Sequence, residues 1–410
     1  MEINMNPQSA YSHRTARLYE NNENNVFEFD ATVIDCFPTE DGYGIELDRT
    51  AFFPEGGGQY CDTGFIITVE KTAIAVSHVS ISNGRIIHLT NTHLNIGDAV
   101  KASINKEKRQ RRMQNHSGEH IISGLLHSLY GIENAGFHMT EGEVNEITID
   151  TAAPLDRQML DRVEILANKA VLDNKRIICY YPSPDELSKI EYRSKTELEG
   201  EIRLVEIEGI DVCACCAPHV AMTGEIGPIH IKSFMKYKRG TRITAVCGED
   251  ALDYLRSTSS AASEIARLYS TRPEESLAAV LRREEYIKEK LDELYKARQR
   301  ILEYRMAEIS AGIADKAKNI CIFEDGCDAG LMRKLVNDGV KLTNGCFAVF
   351  SRDGDVLRYT IGAEHRDLSE LSALIRSKLG GKGGGKGNMI TGYCTASDND
   401  VTDFFTSLIL

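Results

Sequence analysis

No stretch of this 410-residue chain is apolar for long enough to span a membrane. The N-terminal Met1-Glu2-Ile3-Asn4-Met5-Asn6 lacks the basic and apolar regions of a secretory signal, so the expectation is a cytoplasmic protein with no membrane partner. A disulfide framework is missing too: the 11 cysteines are odd in number and scattered, and reduced thiols plus a metal account for them better. Positive charge is scarce, with 48 Lys and Arg against 61 Asp and Glu and a net charge of −13. That sum argues against a nucleic-acid partner, but the distribution of charge matters more than its total. Lys106-Glu107-Lys108-Arg109-Gln110-Arg111-Arg112 is one basic run, and Lys232, Lys236, Lys238, Arg239 and Arg242 form another, with no acid between them and with Phe234 and Tyr237 interleaved. Arg376, Lys378, Lys382 and Lys386 make a third. One such run is usually a solvated face; three together point to phosphate contacts.

What the chain does have is a set of soft metal donors. His116 and His120 in Asn115-His116-Ser117-Gly118-Glu119-His120 lie four apart, so on a helix their Cβ atoms stand about 5–6 Å from each other and both rings reach one ion. A helix is expected there because Ile121, Ile122, Leu125, Leu126 and Leu129 recur at three and four residues. A lone pair of this kind is more often just the polar edge of an amphipathic helix. Cys215 and His219 in Cys215-Cys216-Ala217-Pro218-His219 change that, since a thiolate and a third imidazole complete a tetrahedral zinc set of one ion per chain, with Cys213 as the fallback for Cys215. His116 to His120 also matches the HxxEH pattern of inverted zinc peptidases, with Glu119 as base, but such a site needs a downstream carboxylate ligand.

The fold expected is an α+β multidomain chain. Residues 1–104 read as a small β-barrel, with strands near Val26–Val33, Tyr43–Leu47, Gly64–Val69, Thr72–Val79 and Arg85–Leu89. Residues 105–250 read as an α+β zinc-binding core. It holds the metal helix, a helix near Leu155–Asn174 and strands near Glu146–Ile149, Ile177–Tyr181, Ile202–Ile207 and Arg242–Cys247. Residues 251–311 read as helix. Thr271 is its expected N-cap, and Val280, Ile287, Leu294 and Ile301 fall seven apart, which suggests a coiled-coil-like hairpin or a homodimer contact. Residues 312–410 alternate strand and helix as an α/β domain with the glycine-rich loop Gly380–Lys386.

Four stretches carry a resemblance. Thr50-Ala51-Phe52-Phe53-Pro54-Glu55-Gly56-Gly57-Gly58-Gln59, followed by Asp62 and Gly64, resembles the TxFYPxGGGQxxDxG signature of the editing domain of alanyl-tRNA synthetases. Arg112-Met113 before HxxxH, Asp211 four residues ahead of Cys215, and the glycine-lysine run near the C-terminus match in order. The signature starts within the first fifty or so residues, leaving no room ahead of it for an aminoacylation domain, so the chain resembles free-standing alanyl-tRNA editing proteins of the long type. One departure is plain: the usual CGGTH is Cys215-Cys216-Ala217-Pro218-His219 here. DHH-type phosphoesterases have related C-terminal domains, but no Asp-His-His triplet occurs in this chain.

The resemblance implies a zinc-dependent hydrolase that removes serine from mischarged seryl-tRNA(Ala), with glycyl-tRNA(Ala) as a further candidate substrate, because a synthetase pocket for alanine excludes neither amino acid well. It implies Zn²⁺ on His116, His120, Cys215 and His219, and Thr50, Gln59 and His219 as candidate catalytic residues. Thr50 would recognise the serine hydroxyl, and Gln59 would orient the tRNA end or the attacking water. Arg109, Arg111, Arg112, Lys236, Lys238, Arg239, Lys382 and Lys386 are the candidate tRNA contacts. The runner-up reading is a non-catalytic, zinc-stabilised tRNA-binding protein; a homodimer through the 251–311 helices or the C-terminal domain is compatible with either.

Overall fold

A computed structural model describes residues 15–21, 25–142, 145–194, 200–313, 318–385 and 387–409. The chain divides into two compact units, Met1–Ile265 and Ala266–Leu410.

In the first unit six strands close a barrel: β1 (Glu28–Thr39), β2 (Gly42–Leu47), β3 (Gly64–Thr68), β4 (Ala73–Ser82), β5 (Arg85–Thr90) and β6 (Ala99–Ile104), in the order β1-β2-β5-β4-β3-β6. Alternation decides which side chains fill it. Val33, Ile45, Leu47, Ile66, Ile74, Val76, Ile86, Val100 and Ile104 point inward, and Phe52 and Phe53 pack among them. Strand β6 was not apparent in the sequence; it closes the barrel by pairing with β1 and β3.

Helix α1 (Lys106–Tyr130) follows at once. The Asn105 side chain accepts from the Lys108 N–H at 3.0 Å as N-cap, and Gly131, at φ +65°, ends the helix with its own N–H on the His127 carbonyl. Strands β7 (Asn134–Thr140) and β8 (Glu146–Thr151), helix α2 (Arg157–Leu172), strands β9 (Ile177–Tyr180), β10 (Leu204–Ile207), β11 (Asp211–Ala214), β12 (Ile229–Tyr237) and β13 (Gly240–Cys247), and helix α3 (Glu249–Leu268) come next. They build a four-stranded sheet, β12-β13-β8-β7, and a three-stranded sheet, β9-β10-β11. Ile121, Ile122 and Leu126 of α1, Val163 of α2 and Ile147, Ile149 and Ile243 of the larger sheet share one core. The basic run from Lys232 turns out to lie in the hairpin β12–β13, where Ile229 and Ile231 face inward. No described helix is long and apolar enough to cross a membrane.

The second unit contains α4 (Ser276–Gly312), β14 (Ile320–Phe323), α5 (Ala329–Gly339), β15 (Phe347–Asp353), β16 (Val356–Gly362), α6 (Ser369–Lys378), β17 (Lys382–Gly384), β18 (Met389–Cys394) and α7 (Asp398–Ser407). Its sheet runs β14-β15-β16-β18-β17, with only the β14–β15 pair parallel. Leu302 of α4 packs with Leu331, Met332 and Leu335 of α5. Two expectations need correcting. Thr271 does not cap a helix; its hydroxyl donates to Glu275 at 3.0 Å, and a short 3₁₀ turn at Pro273–Glu275 precedes α4. The glycine-rich segment is not all loop, because Lys382–Gly384 pairs with β18 as a strand, and Gly383 and Gly392 have no room for a Cβ beside the Tyr359 hydroxyl. The heptad positions Ile287, Leu294 and Ile301 are 40%, 50% and 64% exposed and Val280 is half-buried, so among the described residues of this unit nothing covers the later three positions of that seam.

Candidate metal centre

The period of α1 puts His116 and His120 on one face, and both are buried, at 1% and 2% exposure. The turn after β11 brings Cys215 and His219 to them. His116, His120, Cys215 and His219 each offer a ligand atom, and all four atoms lie within 4.8 Å of one another. Cys215 Sγ is 3.7 Å from His116 Nε2 and 3.5 Å from His219 Nε2. The cluster sits between two cores, since Cys215 touches both the barrel core and the helix–sheet core, and Ala217 is wholly buried against the barrel. Burial there explains an apolar residue at one of the positions that depart from CGGTH.

What fits these residues to a metal is the way each ring is held from behind. His116 Nδ1 meets Gln59 Oε1 at 2.8 Å, His120 Nδ1 meets Asp211 Oδ2 at 3.1 Å, and His219 Nδ1 meets Ser117 Oγ at 3.0 Å. With Nδ1 turned outward onto these partners, each ring presents its Nε2 to the cluster. Asp211 is fixed in turn by Arg193, whose Nε and Nη2 donate to it at 2.7 and 2.8 Å. Burial opposes the charge on Asp211, but the hydrogen bonds from His120 and Arg193 prevail and hold its carboxyl below the ordinary value. Burial also opposes a Cys215 thiolate; the facing His116 and the hydrogen bonds from the three imidazoles outweigh it and hold the thiol well below its usual range. His219, wholly buried, is lowered to about 3 by that burial. His120 runs the other way: burial opposes its charge, but the hydrogen bonds to Asp211 and Cys215 hold it well above its ordinary value. One sulfur and three imidazole nitrogens facing one another are the donor set of a tetrahedral zinc site.

Close approach makes this possible. A Cβ on Gly124 of α1 would stand 2.7 Å from the Asp211 Cβ, so the helix meets β11 only because that residue is glycine, at the usual helix cost of about 1 kcal/mol. Arg193 and Arg203 escaped the sequence reading. Arg203 donates to the carbonyls of Cys215 and Ala217 at 2.8 and 2.9 Å and so shapes the ligand turn, but nothing in its local sequence marks that role.

Gln59 is 1% exposed, and its Nε2 has no hydrogen-bond partner among the described residues. It follows Gly57 and Gly58, at φ +62° and +82°, and a Cβ on Gly58 would strike the Phe137 carbonyl oxygen at 2.5 Å. Phe137 in turn stacks on His116 with ring centroids 4.8 Å apart. Thr50 is wholly buried. His88 Nδ1 donates to the Ile45 carbonyl at 2.9 Å, so the Thr50 hydroxyl donates to His88 Nε2 at 2.8 Å while accepting from the Phe52 N–H at 3.1 Å. Its remaining capacity is that of an acceptor. Burial lowers His88 to about 4, which keeps the ring neutral.

The candidate tRNA contacts separate sharply. Arg109 is 1% exposed and clamped on Asp62 and the Ala51 carbonyl, and Arg112 is 5% exposed and held by Glu141 and the Cys61 carbonyl. The Arg109 guanidinium is sealed from solvent, which corrects the expectation for it, while Arg112 reaches only the wall of a cleft beside α1. Arg111 is bound by Glu249 and Asp250 at 3.0 and 3.3 Å. Lys236, Lys238, Arg239 and Lys382 are exposed, and Lys386 lies outside the described residues. A cleft of about 480 Å³ beside α1 is lined by Lys108, Arg111, Arg112 and Glu141 but by none of the four metal donors. The peptidase reading loses its base: Glu119 is buried and accepts from the Ser123 hydroxyl at 2.7 Å and from Asn134. Among the alternative thiols, Cys213 is buried beside His120 and Asp211, and Cys216 is exposed, outside the four-donor group.

Comparison with known proteins gives a consistent set of matches. The family of class II (A) tRNA synthetases matches residues 4–108, and the threonyl and alanyl tRNA synthetase second additional domain matches residues 202–269. The chain is 28% identical over 393 residues to the alanyl-tRNA editing protein AlaX-L of Pyrococcus horikoshii, covering 92% of this chain and 94% of that one. It is 29% identical over 402 residues to an alanine–tRNA ligase of Methanoculleus marisnigri, covering 94% of this chain but only 43% of the ligase. The C-Ala domain from Aquifex aeolicus alanyl-tRNA synthetase matches 22% of this chain at 19% identity with a TM-score of 0.20, too little overlap to carry an argument.

Proposed function

Because this chain is related over nearly its whole length to the alanyl-tRNA editing proteins of the long type, we propose that it is an aminoacyl-tRNA deacylase that hydrolyses the ester of seryl-tRNA(Ala), and of glycyl-tRNA(Ala), to free amino acid and intact tRNA. The observation that carries this reading is the convergence of three back-held imidazoles and one thiolate beside the buried, half-satisfied amide of Gln59. A zinc ion on His116, His120, Cys215 and His219 would supply a fixed positive charge that organises the pocket around the aminoacyl end. The chain's own groups do the rest. Gln59 has two N–H donors without partners, suited to an ester carbonyl or a ribose hydroxyl entering the site, while its oxygen keeps the His116 ring in register. The Thr50 hydroxyl, already donating to His88, can only accept, and a serine side chain brings the O–H that alanine lacks.

The test is hydrolysis of purified seryl-, glycyl- and alanyl-tRNA(Ala) by the full chain with zinc. Seryl ester should be cleaved and alanyl ester largely spared. Thr50→Val keeps the shape, deletes the hydroxyl, and should narrow the seryl-to-alanyl ratio by about 1–2 kcal/mol, roughly 5- to 30-fold. An unchanged ratio would remove Thr50 as the discriminator. A protein that binds tRNA yet cleaves none of the three esters would be the zinc-stabilised binding protein instead.

A further inference from the structure

We propose that Glu55, Cys61 and His78 form a second metal site, an open three-ligand site for a zinc-class divalent ion, independent of the four-donor cluster. Their ligand atoms all lie within 4.8 Å of one another, and Cys61 Sγ stands 3.2 Å from His78 Nδ1. Cys61 is buried, His78 is half-buried, and Glu55 is exposed, so the trio opens to solvent on the carboxylate side. A thiolate, an imidazole and a carboxylate are ligands that zinc accepts together, and three protein ligands leave an exchangeable fourth position.

The backbone places these groups deliberately. Along β4, Ile74 and Val76 point into the barrel, and strict alternation would send His78 inward after them. A bulge between Val76 and His78 shifts the phase, so that Val79 is the next buried residue and His78 turns toward the outer face. The loop before β3 supplies the other two ligands and is tied down at each. The Glu55 N–H donates to the Val79 carbonyl at 3.1 Å, one residue beyond His78, and the Cys61 carbonyl accepts from Arg112. A thiol–imidazole hydrogen bond would account for Cys61 and His78 alone. The Glu55 carboxylate, brought to the same point by the backbone tie between Glu55 and Val79, adds the third donor that such a pair by itself does not call for.

Glu55 and Cys61 bracket the turn Gly56-Gly57-Gly58-Gln59, and Gln59 is the residue that holds His116. An ion on Glu55, Cys61 and His78 would close this loop against β4 from both ends and restrict the turn that aims Gln59. The second site would thus stiffen a support of the first while sharing no ligand with it.

The experiment is a Co²⁺ titration of the metal-free full chain and of its variants, read by thiolate-to-cobalt absorption and by counting ions at saturation. Cys61→Ala should bind one Co²⁺ fewer per chain than the unaltered protein, and a Cys215→Ser/His219→Ala protein should keep the ion that Cys61→Ala loses. The exposed Glu55→Gln change, which spares the core, should weaken that ion by about tenfold or more. If Cys61→Ala takes up as many ions as the unaltered chain, or if Glu55→Gln leaves every affinity as it was, the trio is not a metal site. Because the count is compared with and without each set of ligands, failure here is separable from failure of the four-donor cluster.

Discussion

Asp211 is the residue whose replacement tests the proposed metal centre most directly, because it touches His120, one of the four candidate ligands, from behind. In Asp211→Asn the side chain keeps its shape and loses its charge, and one of its two oxygens becomes an NH₂ group. In the native arrangement those oxygens accept one bond from His120 and two from Arg193, at 3.1, 2.7 and 2.8 Å, in a site 6% exposed. Whichever way the amide turns, a donor now faces a donor. If it faces His120, the ring loses the partner that fixes Nδ1–H outward, and losing such a support lowers metal affinity by about 10- to 100-fold, or about 1.4–2.7 kcal/mol. If it faces Arg193, a buried guanidinium is left partly unpaired, and the metal-free fold should lose about 1–3 kcal/mol. The two effects are read separately, by competition for zinc against a chromophoric chelator and by denaturant unfolding of the metal-free protein. We expect both to move. Zinc affinity within twofold of the unaltered protein, alongside a weakened fold, would refute the reasoning and leave Asp211 as a structural partner of Arg193 alone.

Other expectations follow from the same geometry. Arg109→Met removes the nearest cation of Asp62, itself 1% exposed, and leaves the carboxylate to the Phe53 N–H at 2.7 Å and Arg112 at 3.7 Å, so it should cost about 1–3 kcal/mol in denaturant unfolding; no change would mean that the pair contributes little. Replacing Lys236, Lys238 and Arg239 together by alanine should weaken tRNA binding and lower the steepness of its salt dependence by about one unit for each phosphate no longer bound, with cleavage at saturating substrate retained; an unchanged salt slope would place tRNA elsewhere. The hydrogen bond from Arg242 holds the Asp150 carboxyl below its ordinary value of 3.8, against the opposing effect of burial. A depressed folded value means stability that is present above the ordinary value and lost as pH falls through the folded one. The melting difference between the unaltered protein and Asp150→Asn should therefore persist at pH 7 and shrink below about pH 4, and a difference that instead grew in acid would reverse the assignment.

Local sequence carried the elements whose signal repeats within a few residues. The histidine pair on α1 was legible because 3.6 residues per turn stacks positions four apart, and most barrel strands were legible because inward and outward residues alternate. The donors Cys215 and His219 came from spacing, and Thr50 and Gln59 from the resemblance of the segment around them. Strand β12 went unread because its lysines hid its alternation, whereas β6 went unread although it alternates as the other barrel strands do. Tertiary structure alone decided which charges are available. Lys232 to Arg242 holds no acid of its own, yet Glu146 and Asp150 of the neighbouring strand pair with Lys232 and Arg242. Arg109 looks like a surface cation in its run, yet it is sealed against Asp62, 47 positions earlier. The groups that hold the rings from behind, Gln59 for His116 and Asp211 with Arg193 for His120, are likewise brought in from other segments. Periodicity is a property of neighbours along the chain, whereas the pairing and burial of a charge depend on contacts made only when distant segments pack.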